Sequence, residues 1–386
     1  MSDENKTIIV LGGGVGGVVV ATLMRKKLPK EHRVVLIDRE ERHVFAPSLL
    51  WLMTGERRAE KISRPLERLS KKGIEVVHGE IDGIDARART VTVGGTSMTA
   101  DYLVISLGAE LAPDLIPGLA PAGHDLYSLA GAERLRDALH AFRSGRLVVL
   151  TASPAYKCPA APYEAAMLLE YDCRKRKIRD AVGIDLYAAE PGPMGVAGAD
   201  VTAAVRQMVE KKGIGYYPAH QVTEVDAKSN TIAFANGATA PFDLLAYVPP
   251  HRAPRVVREA ELTDDSGWVP VDRLTLQTEI DGVFAIGDVT GIPLAMGKPL
   301  PKAGVFAHGQ AEVVANNIVH DVTGRGKPKT FDGHGECFIE AGDGKAGFGR
   351  GNFYAEPTPQ VKLHDVGRAW HAAKVLFEKD WLRRWF

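Results

Sequence analysis

The chain has 386 residues, 45% hydrophobic and 25% charged, with 48 basic side chains balanced by 48 acidic ones. That is ordinary globular composition, long enough for two or three cores. A formal charge of zero gives no field to draw in a polyanion, which argues against nucleic acid as a partner.

The opening residues Met1 to Lys6 are polar and acidic, and uncharged apolar runs stay below the roughly 18 residues a span needs. Neither a signal peptide nor a transmembrane helix is therefore expected. Thr7 to Leu11 is a short β-branched run that predicts a buried parallel strand. It opens into Gly12-Gly13-Gly14-Val15-Gly16-Gly17, then a helix over Val18 to Leu28 and a second strand, Arg33 to Ile37, closed by Asp38. Strand, glycines, helix, strand and acid in this register predict a dinucleotide-binding βαβ unit. Gly12 permits the tight turn, Gly14 lets backbone approach a pyrophosphate, and Gly17 allows close helix packing. Asp38, with Arg39 beside it, stands where a ribose hydroxyl would donate. FAD and NAD share this loop, so the fingerprint leaves the dinucleotide open.

The following loop, Arg42 to Trp51, leaves the carboxyl edge of the sheet and places Pro47 and Ser48 at the ligand crevice. A short helix over Pro65 to Lys72, a strand over Ile74 to His78 and a hairpin from Ile81 to Val93 come next. A buried strand from Tyr102 then ends at Gly108-Ala109. Proline and glycine cluster between Pro113 and Gly123, marking a crossing into a second unit.

That unit reads as a helix over Gly131 to Phe142, a strand over Arg146 to Thr151, a helix over Tyr163 to Lys177 and a strand over Gly183 to Ala188. No glycine lies between Gly145 and Gly183, so the turn from Thr151 to Glu164 is badly suited to a second pyrophosphate. A nicotinamide nucleotide is not expected there, and Cys158 stands in its place.

The chain returns to the first unit at Gly282 to Thr290, whose Asp288 suits a ribityl hydroxyl or else caps the next helix. Lys302 and Ala303 precede that helix, expected through Asn317. A hairpin over Glu336 to Phe348 and a helix over Asp365 to Phe386 complete the chain. In the last helix Trp370, Phe377, Trp381 and Trp385 form one stripe beside basic residues. Such a stripe suits a bilayer interface; alternatively it docks on the body of the protein or on a second subunit, which would make a homo-oligomer. The fold class expected is α/β, two Rossmann-like three-layer domains with the second inserted in the first, plus a C-terminal amphipathic helical segment. The expected boundaries are 1–112 with 270–325, 113–269, and 326–386.

Three cysteines are present, Cys158, Cys173 and Cys337. Cys173 sits mid-helix and reads as structural. Cys158 lies just ahead of a helix and next to Lys157, two features that lower a thiol pKa. Glu164, in the first helical turn, either handles protons or simply complements the helix dipole. No metal site is expected.

Taken together, Gly12-x-Gly14-x-x-Gly17, Phe45-x-Pro47-Ser48, Lys157-Cys158-Pro159-Ala160-Ala161-Pro162-Tyr163-Glu164, Ala285-Ile286-Gly287-Asp288, Pro301-Lys302-Ala303-Gly304 and the late Cys337 resemble the sulfide:quinone oxidoreductases. These are flavoproteins of the glutathione-reductase-like superfamily. The resemblance implies FAD held by Gly12, Gly14, Gly17, Asp38, Arg39, Pro47, Ser48, Gly108, Asp288, Lys302 and Ala303, with Lys302 near the flavin pyrimidine edge; because His43 is the sole histidine or cysteine near Ala46, non-covalent attachment is expected. It implies that Cys158 and Cys337 form a redox pair beside the flavin, oxidising sulfide to polysulfide or sulfur. It further implies a quinone pocket on the opposite flavin face, with Phe338, Phe348, Phe353, Tyr354 and Phe377 as candidates, and peripheral attachment to the cell membrane through the C-terminal helix.

Many relatives carry a third cysteine where this chain has Asp125 to Ala130, which places it in a two-cysteine branch related to the flavoprotein subunit of flavocytochrome c sulfide dehydrogenase. The rival readings are that subunit, a type II NADH:quinone oxidoreductase, and a flavin redox sensor without turnover.

Overall fold

A computed structural model of the chain describes residues 5–386; Met1 to Glu4, most of the polar opening stretch, lie outside the described residues. Two five-stranded parallel sheets organise the molecule. The first runs in the order Val283–Ala285, Tyr102–Ile105, Thr7–Leu11, Arg33–Asp38, Glu75–His78. Its central strand is apolar on both faces because both are covered, one by helices and the other by the antiparallel strands from Ile81 to Thr99 with Val256 and Val257: Ile8 to Leu11 have no exposed surface. The helices Val15–Lys27 and Gly304–Thr323 pack together over one face. The latter runs a turn and a half past the expected Asn317 and stops at Gly324, which takes the left-handed conformation at φ +68°.

The second sheet runs His124–Asp125, Leu244–Val248, Gly145–Thr151, Val182–Ala188, Gly215–Tyr217. Leu147 to Leu150 are again fully buried. Because Val283–Ala285 pairs with Tyr102–Ile105 after the whole second sheet has been built, the second Rossmann-like unit is inserted in the first. Each unit also carries a three-stranded antiparallel excursion.

The expected C-terminal hairpin is a three-stranded antiparallel sheet, His334–Gly342, Lys345–Asn352 and Gln360–Gly367. Asp365 to Gly367 belong to its last strand, so the final helix starts at Arg368 and ends at Trp385. Its aromatic stripe needs correcting. Trp381 and Trp385 are each only 3% exposed, and Trp370 stacks on Phe348 at 4.5 Å. The face formed by Lys374, Glu378, Trp381, Leu382 and Trp385, at spacings of three and four, docks on the body of the protein. What faces out is Leu376 and Phe377, 65% and 46% exposed. Among the described residues no helix is long and apolar enough to cross a membrane.

Candidate active site at the junction of the two units

The glycine-rich turn has the steric logic its sequence demands. Gly12 sits at φ +100°, and a Cβ there would strike the Ser106 carbonyl. A Cβ on Gly17 would collide with the Gly12 carbonyl, whereas one on Gly14 would meet nothing within 4 Å. The turn is therefore closed on its two packed sides and open at Gly14, where the first helix presents its free amides. Asp38 accepts the Gly13 N–H and, through its other oxygen, the Glu40 N–H at 2.7 Å. Arg39 lies at the exposed rim between Glu40 and Glu80, 3.6 and 3.7 Å away. Gly108, at φ +68°, also has open space at its Cβ position, and Pro47 lies exposed in the turn Ala46–Ser48.

Ser48 is a different matter. It is fully buried, and its hydroxyl donates to Glu378 of the C-terminal helix at 2.6 Å. Arg57 Nε and Nη2 reach the same carboxylate at 3.0 Å. Ser48 anchors the last helix and has no hydroxyl proton left for a cofactor.

Asp288 emerges from the returning strand in the turn Gly287–Val289. Its Oδ1 is buried without a protein partner, and burial raises its pKa against the opposing charges of Lys157 and Lys302. It does not cap the following helix, whose N-cap residue Ala303 offers no side-chain hydrogen bond. Lys302 Nζ donates to the carbonyls of Asp288 and Thr290 at 2.8 and 2.9 Å and lies 3.3 Å over the Trp268 ring. Burial lowers its pKa to about 8.

Cys158 and Cys337 line one cavity of about 940 Å³, together with Tyr156, Glu190, Met194, Trp268, Lys302, Phe306 and Phe353. Cys158 holds φ +51°, a strained conformation for a residue with a side chain. Three bonds keep it there. Its N–H donates to the Lys302 carbonyl at 2.6 Å, and its own carbonyl accepts from Ala161 N–H at 2.9 Å and from the Tyr127 hydroxyl at 3.1 Å. The Lys302 bond ties the second unit's turn to the first unit's helix entrance.

The thiol acidities run opposite to the expectation from the helix terminus and Lys157. Burial pushes Cys158 up to about 12, and Glu164 adds to that. Burial also raises Cys337 well above an ordinary thiol, with Cys158 the next cause, so the two sulfurs are close enough to feel each other's charge. The cation that opposes this is Lys374; Lys157 lies 5.8 Å over the Tyr127 ring. Cys173 is fully buried in the helix Ala161–Lys175 and packs in the core.

Glu164 neither faces solvent nor merely complements a helix dipole. At 3% exposure it accepts the Glu340 N–H at 2.8 Å and Lys374 Nζ at 3.0 Å. Glu340 in turn holds His371 Nδ1 at 3.0 Å. Burial opposes the Lys374 charge, but Glu164 and Glu340 more than restore it, leaving its pKa raised. Sequence reading missed Lys374 because its partners lie on the cysteine helix and on the Cys337 strand, both remote in the chain.

The proposed aromatic pocket divides. Phe338 packs on Phe348 at 5.1 Å and Phe377 at 6.3 Å, and Phe45 meets Phe377 edge-on at 5.6 Å. Phe353 and Tyr354 do not join them. Past the end of the hairpin strand, Phe353 lines the thiol cavity against Phe306 at 5.0 Å, and Tyr354 donates to the Arg273 carbonyl at 2.8 Å. Cross-strand pairing explains the split, since Phe338 lies opposite Phe348. Phe45, already part of the Phe-x-Pro-Ser motif, was the missed member.

Residues 6–311 match the description of the pyridine nucleotide-disulphide oxidoreductases. The chain belongs to that family. It is 29% identical over 400 residues to the sulfide-quinone reductase of Aquifex aeolicus, covering 98% of this chain and 90% of that one. The mitochondrial sulfide:quinone oxidoreductase of Mus musculus is 26% identical over 365 residues, 91% of this chain and 79% of that one. The crystal structure of the Aquifex aeolicus sulfide:quinone oxidoreductase superimposes with a TM-score of 0.88 at 28% identity, over 98% of this chain and 91% of that one. The cofactor is FAD, and the residues present fit it: an open face at Gly14, an acid at the second strand's end, and a buried Asp288 oxygen still lacking a donor.

Proposed function

We propose that this chain oxidises sulfide and delivers the electrons, through FAD, to a quinone. The observation that supports the reading is that Cys158, from the second unit, and Cys337, from the C-terminal sheet, line the same cavity. In the oxidised pair, hydrosulfide attacks one sulfur of the disulfide. The S–S bond between the cysteines breaks, a new S–S bond forms a persulfide on the attacked cysteine, and the other leaves as a thiolate. A second hydrosulfide attacks the outer persulfide sulfur and carries it away as hydrodisulfide, which leaves both cysteines reduced. FAD, when bound, would supply the two-electron acceptor through which their disulfide re-forms, with the quinone as final acceptor. Lys374 stabilises the departing thiolate, since it is the cation that lowers both thiol pKa values. Glu164 keeps Lys374 in place rather than moving protons itself.

In this reading Gly12, Gly14, Gly17, Asp38, Gly108, Asp288, Lys302 and Ala303 hold a non-covalent FAD. Phe338, Phe348, Phe377 and Phe45 form the quinone contact. The exposed pair Leu376 and Phe377 continues that contact onto a membrane surface, and the protein is peripheral there; self-association into a homo-oligomer belongs to the same proposal. The units fall at 1–112 with 270–325, 113–269, and 326–386.

Anaerobic titration tests the reading. Sulfide should bleach the flavin absorbance band, and a short-chain quinone should restore it. Bleaching by NADH and not by sulfide would replace this proposal with an NADH:quinone activity. Yellow colour remaining on acid-precipitated protein would overturn non-covalent binding.

A further inference from the structure

We propose that His43 is a positioning residue for the phosphate-binding turn and that the last turn of the C-terminal helix holds it in place. His43 lies in the short strand Arg42–Val44, 3% exposed, with Nδ1 2.8 Å from the Gly13 carbonyl oxygen. A carbonyl can only accept, so Nδ1 carries the proton and donates. Burial lowers the ring's pKa to about 4, which keeps it in that neutral tautomer. Its Nε2 is buried and has no protein partner.

The consequence for Gly14 follows from peptide geometry. The Gly13 carbonyl and the Gly14 N–H belong to one rigid trans unit and point in opposite directions. Fixing the carbonyl on His43 therefore aims the Gly14 N–H away from it, at the N-terminus of the helix Val15–Lys27, where the open face lies. Asp38 secures the peptide on the other side of Gly13 by accepting its N–H. A run of five glycines in six positions is otherwise costly to order. A turn already fixed from both sides spares the ligand that cost.

The imidazole is fixed in turn by the chain's end. Trp381 stacks on it at 4.7 Å and 22°, and Phe386 lies 5.3 Å away. The backbone carrying them is tethered by Lys72 Nζ, which donates to the Trp385 carbonyl at 2.7 Å, and by Trp385 packing on His308 at 5.4 Å. The extreme C-terminus thus clamps the first turn of the fold.

The test measures FAD binding to full-length apoprotein without lipid, by recovery of flavin fluorescence quenching and by FAD release from diluted holoprotein. His43→Phe keeps an aromatic ring against Trp381 and removes the donor; FAD affinity should fall about five- to tenfold, one hydrogen bond's worth. His43→Asn puts an amide N–H near the Nδ1 position and should stay within about twofold of the parent. Trp381→Ala retains the donor but frees the ring, and should speed FAD release at least threefold on the same grounds. The double variant should lose less than the product of the single losses, because both act on one bond. Far-UV circular dichroism of each apoprotein separates lost binding from lost folding. Parent-like FAD affinity in His43→Phe, or parent-like release in Trp381→Ala, overturns the proposal. If His43→Phe does not fold, the Trp381→Ala release rate decides alone.

Discussion

The molecule contains the same βαβ turn twice, and the two have opposite fates. In the first, the acid closing the second strand is Asp38, half-buried over glycines and facing open space at Gly14. In the second, the corresponding acid is Glu190, just past the strand Val182–Ala188 and 8% exposed. Its carboxylate is already satisfied within the chain: Thr151 donates at 2.7 Å, Tyr163 at 2.7 Å, and Tyr156 donates as well. Tyrosine hydroxyls occupy the acceptor that a ribose would need, and Cys158 occupies the crest of the turn. One architecture yields a cofactor cradle where the side chains are absent and a thiol platform where they are present.

Three measurements sharpen that contrast. The largest effect belongs to the platform: Cys158→Ala or Cys337→Ala should cut sulfide-driven quinone reduction about a thousandfold or more while FAD stays bound. Turnover surviving either change would remove the thiol pair from the chemistry. In the same holoprotein, millimolar-scale NADH should leave the flavin oxidised, because Glu190 is not free to receive it.

Next comes the ionic tie between platform and tail. Glu164 and Lys374 side chains are 3% and 5% exposed and 3.0 Å apart. Glu164→Gln halves the negative charge facing the buried ammonium and leaves Glu340 as a counter-charge, so urea unfolding should show a loss of about 2 to 3 kcal/mol. A loss under about 1 kcal/mol would mean water reaches the pair.

The third is pH dependence. With Cys158 pushed up to about 12, the thiolate fraction is small throughout the neutral range. Alkylation of the reduced protein should therefore accelerate about tenfold per pH unit between about pH 7 and 9, without levelling. A plateau below about pH 8 would show that the helix terminus and Lys157 prevail after all. The linkage has the same sign. A folded pKa above that of a free thiol means this contribution to stability is complete below about 9 and is lost as pH rises toward about 12.

What the sequence reveals and what it hides follows from the range of the interactions involved. The glycine turn is legible because a missing Cβ acts on its immediate neighbours; Gly12, Gly14 and Gly17 each meet the surroundings their spacing implied. The inserted second sheet is legible because buried parallel strands are apolar throughout. The acidity of Cys158 is not legible, because Lys157 is adjacent in sequence yet lies over Tyr127, while Glu164 and the apolar cavity wall dominate through space. Ser48 was misassigned for the same reason: its partner Glu378 is far along the chain and approaches only when the last helix docks. The third C-terminal strand, Gln360–Gly367, was missed because its apolar face is no more than Val361 and Leu363, too short an alternation to stand out among charged neighbours.

The last helix invites the smallest and most discriminating prediction. Its two faces were merged in the aromatic stripe, but Trp381 and Trp385 are inside while Leu376 and Phe377 are outside. Removing Lys379 to Phe386 would therefore disturb the flavin turn along with any lipid contact, and loss of liposome binding in such a truncation would be ambiguous. Leu376→Ser with Phe377→Ser leaves the inward face intact and, beyond the outer face, removes only the Phe377 ring from Phe45 and Phe338, a change on the quinone side and not the sulfide side. Partial burial of these two side chains in a bilayer interface is worth about 1 to 2 kcal/mol, so liposome partitioning should fall about tenfold. FAD content and sulfide-driven bleaching of the flavin should be unchanged, because the inward face still holds His43, Glu164 and Ser48 in place. Unaltered partitioning would move the membrane contact away from this helix altogether, leaving the helix solely a clamp.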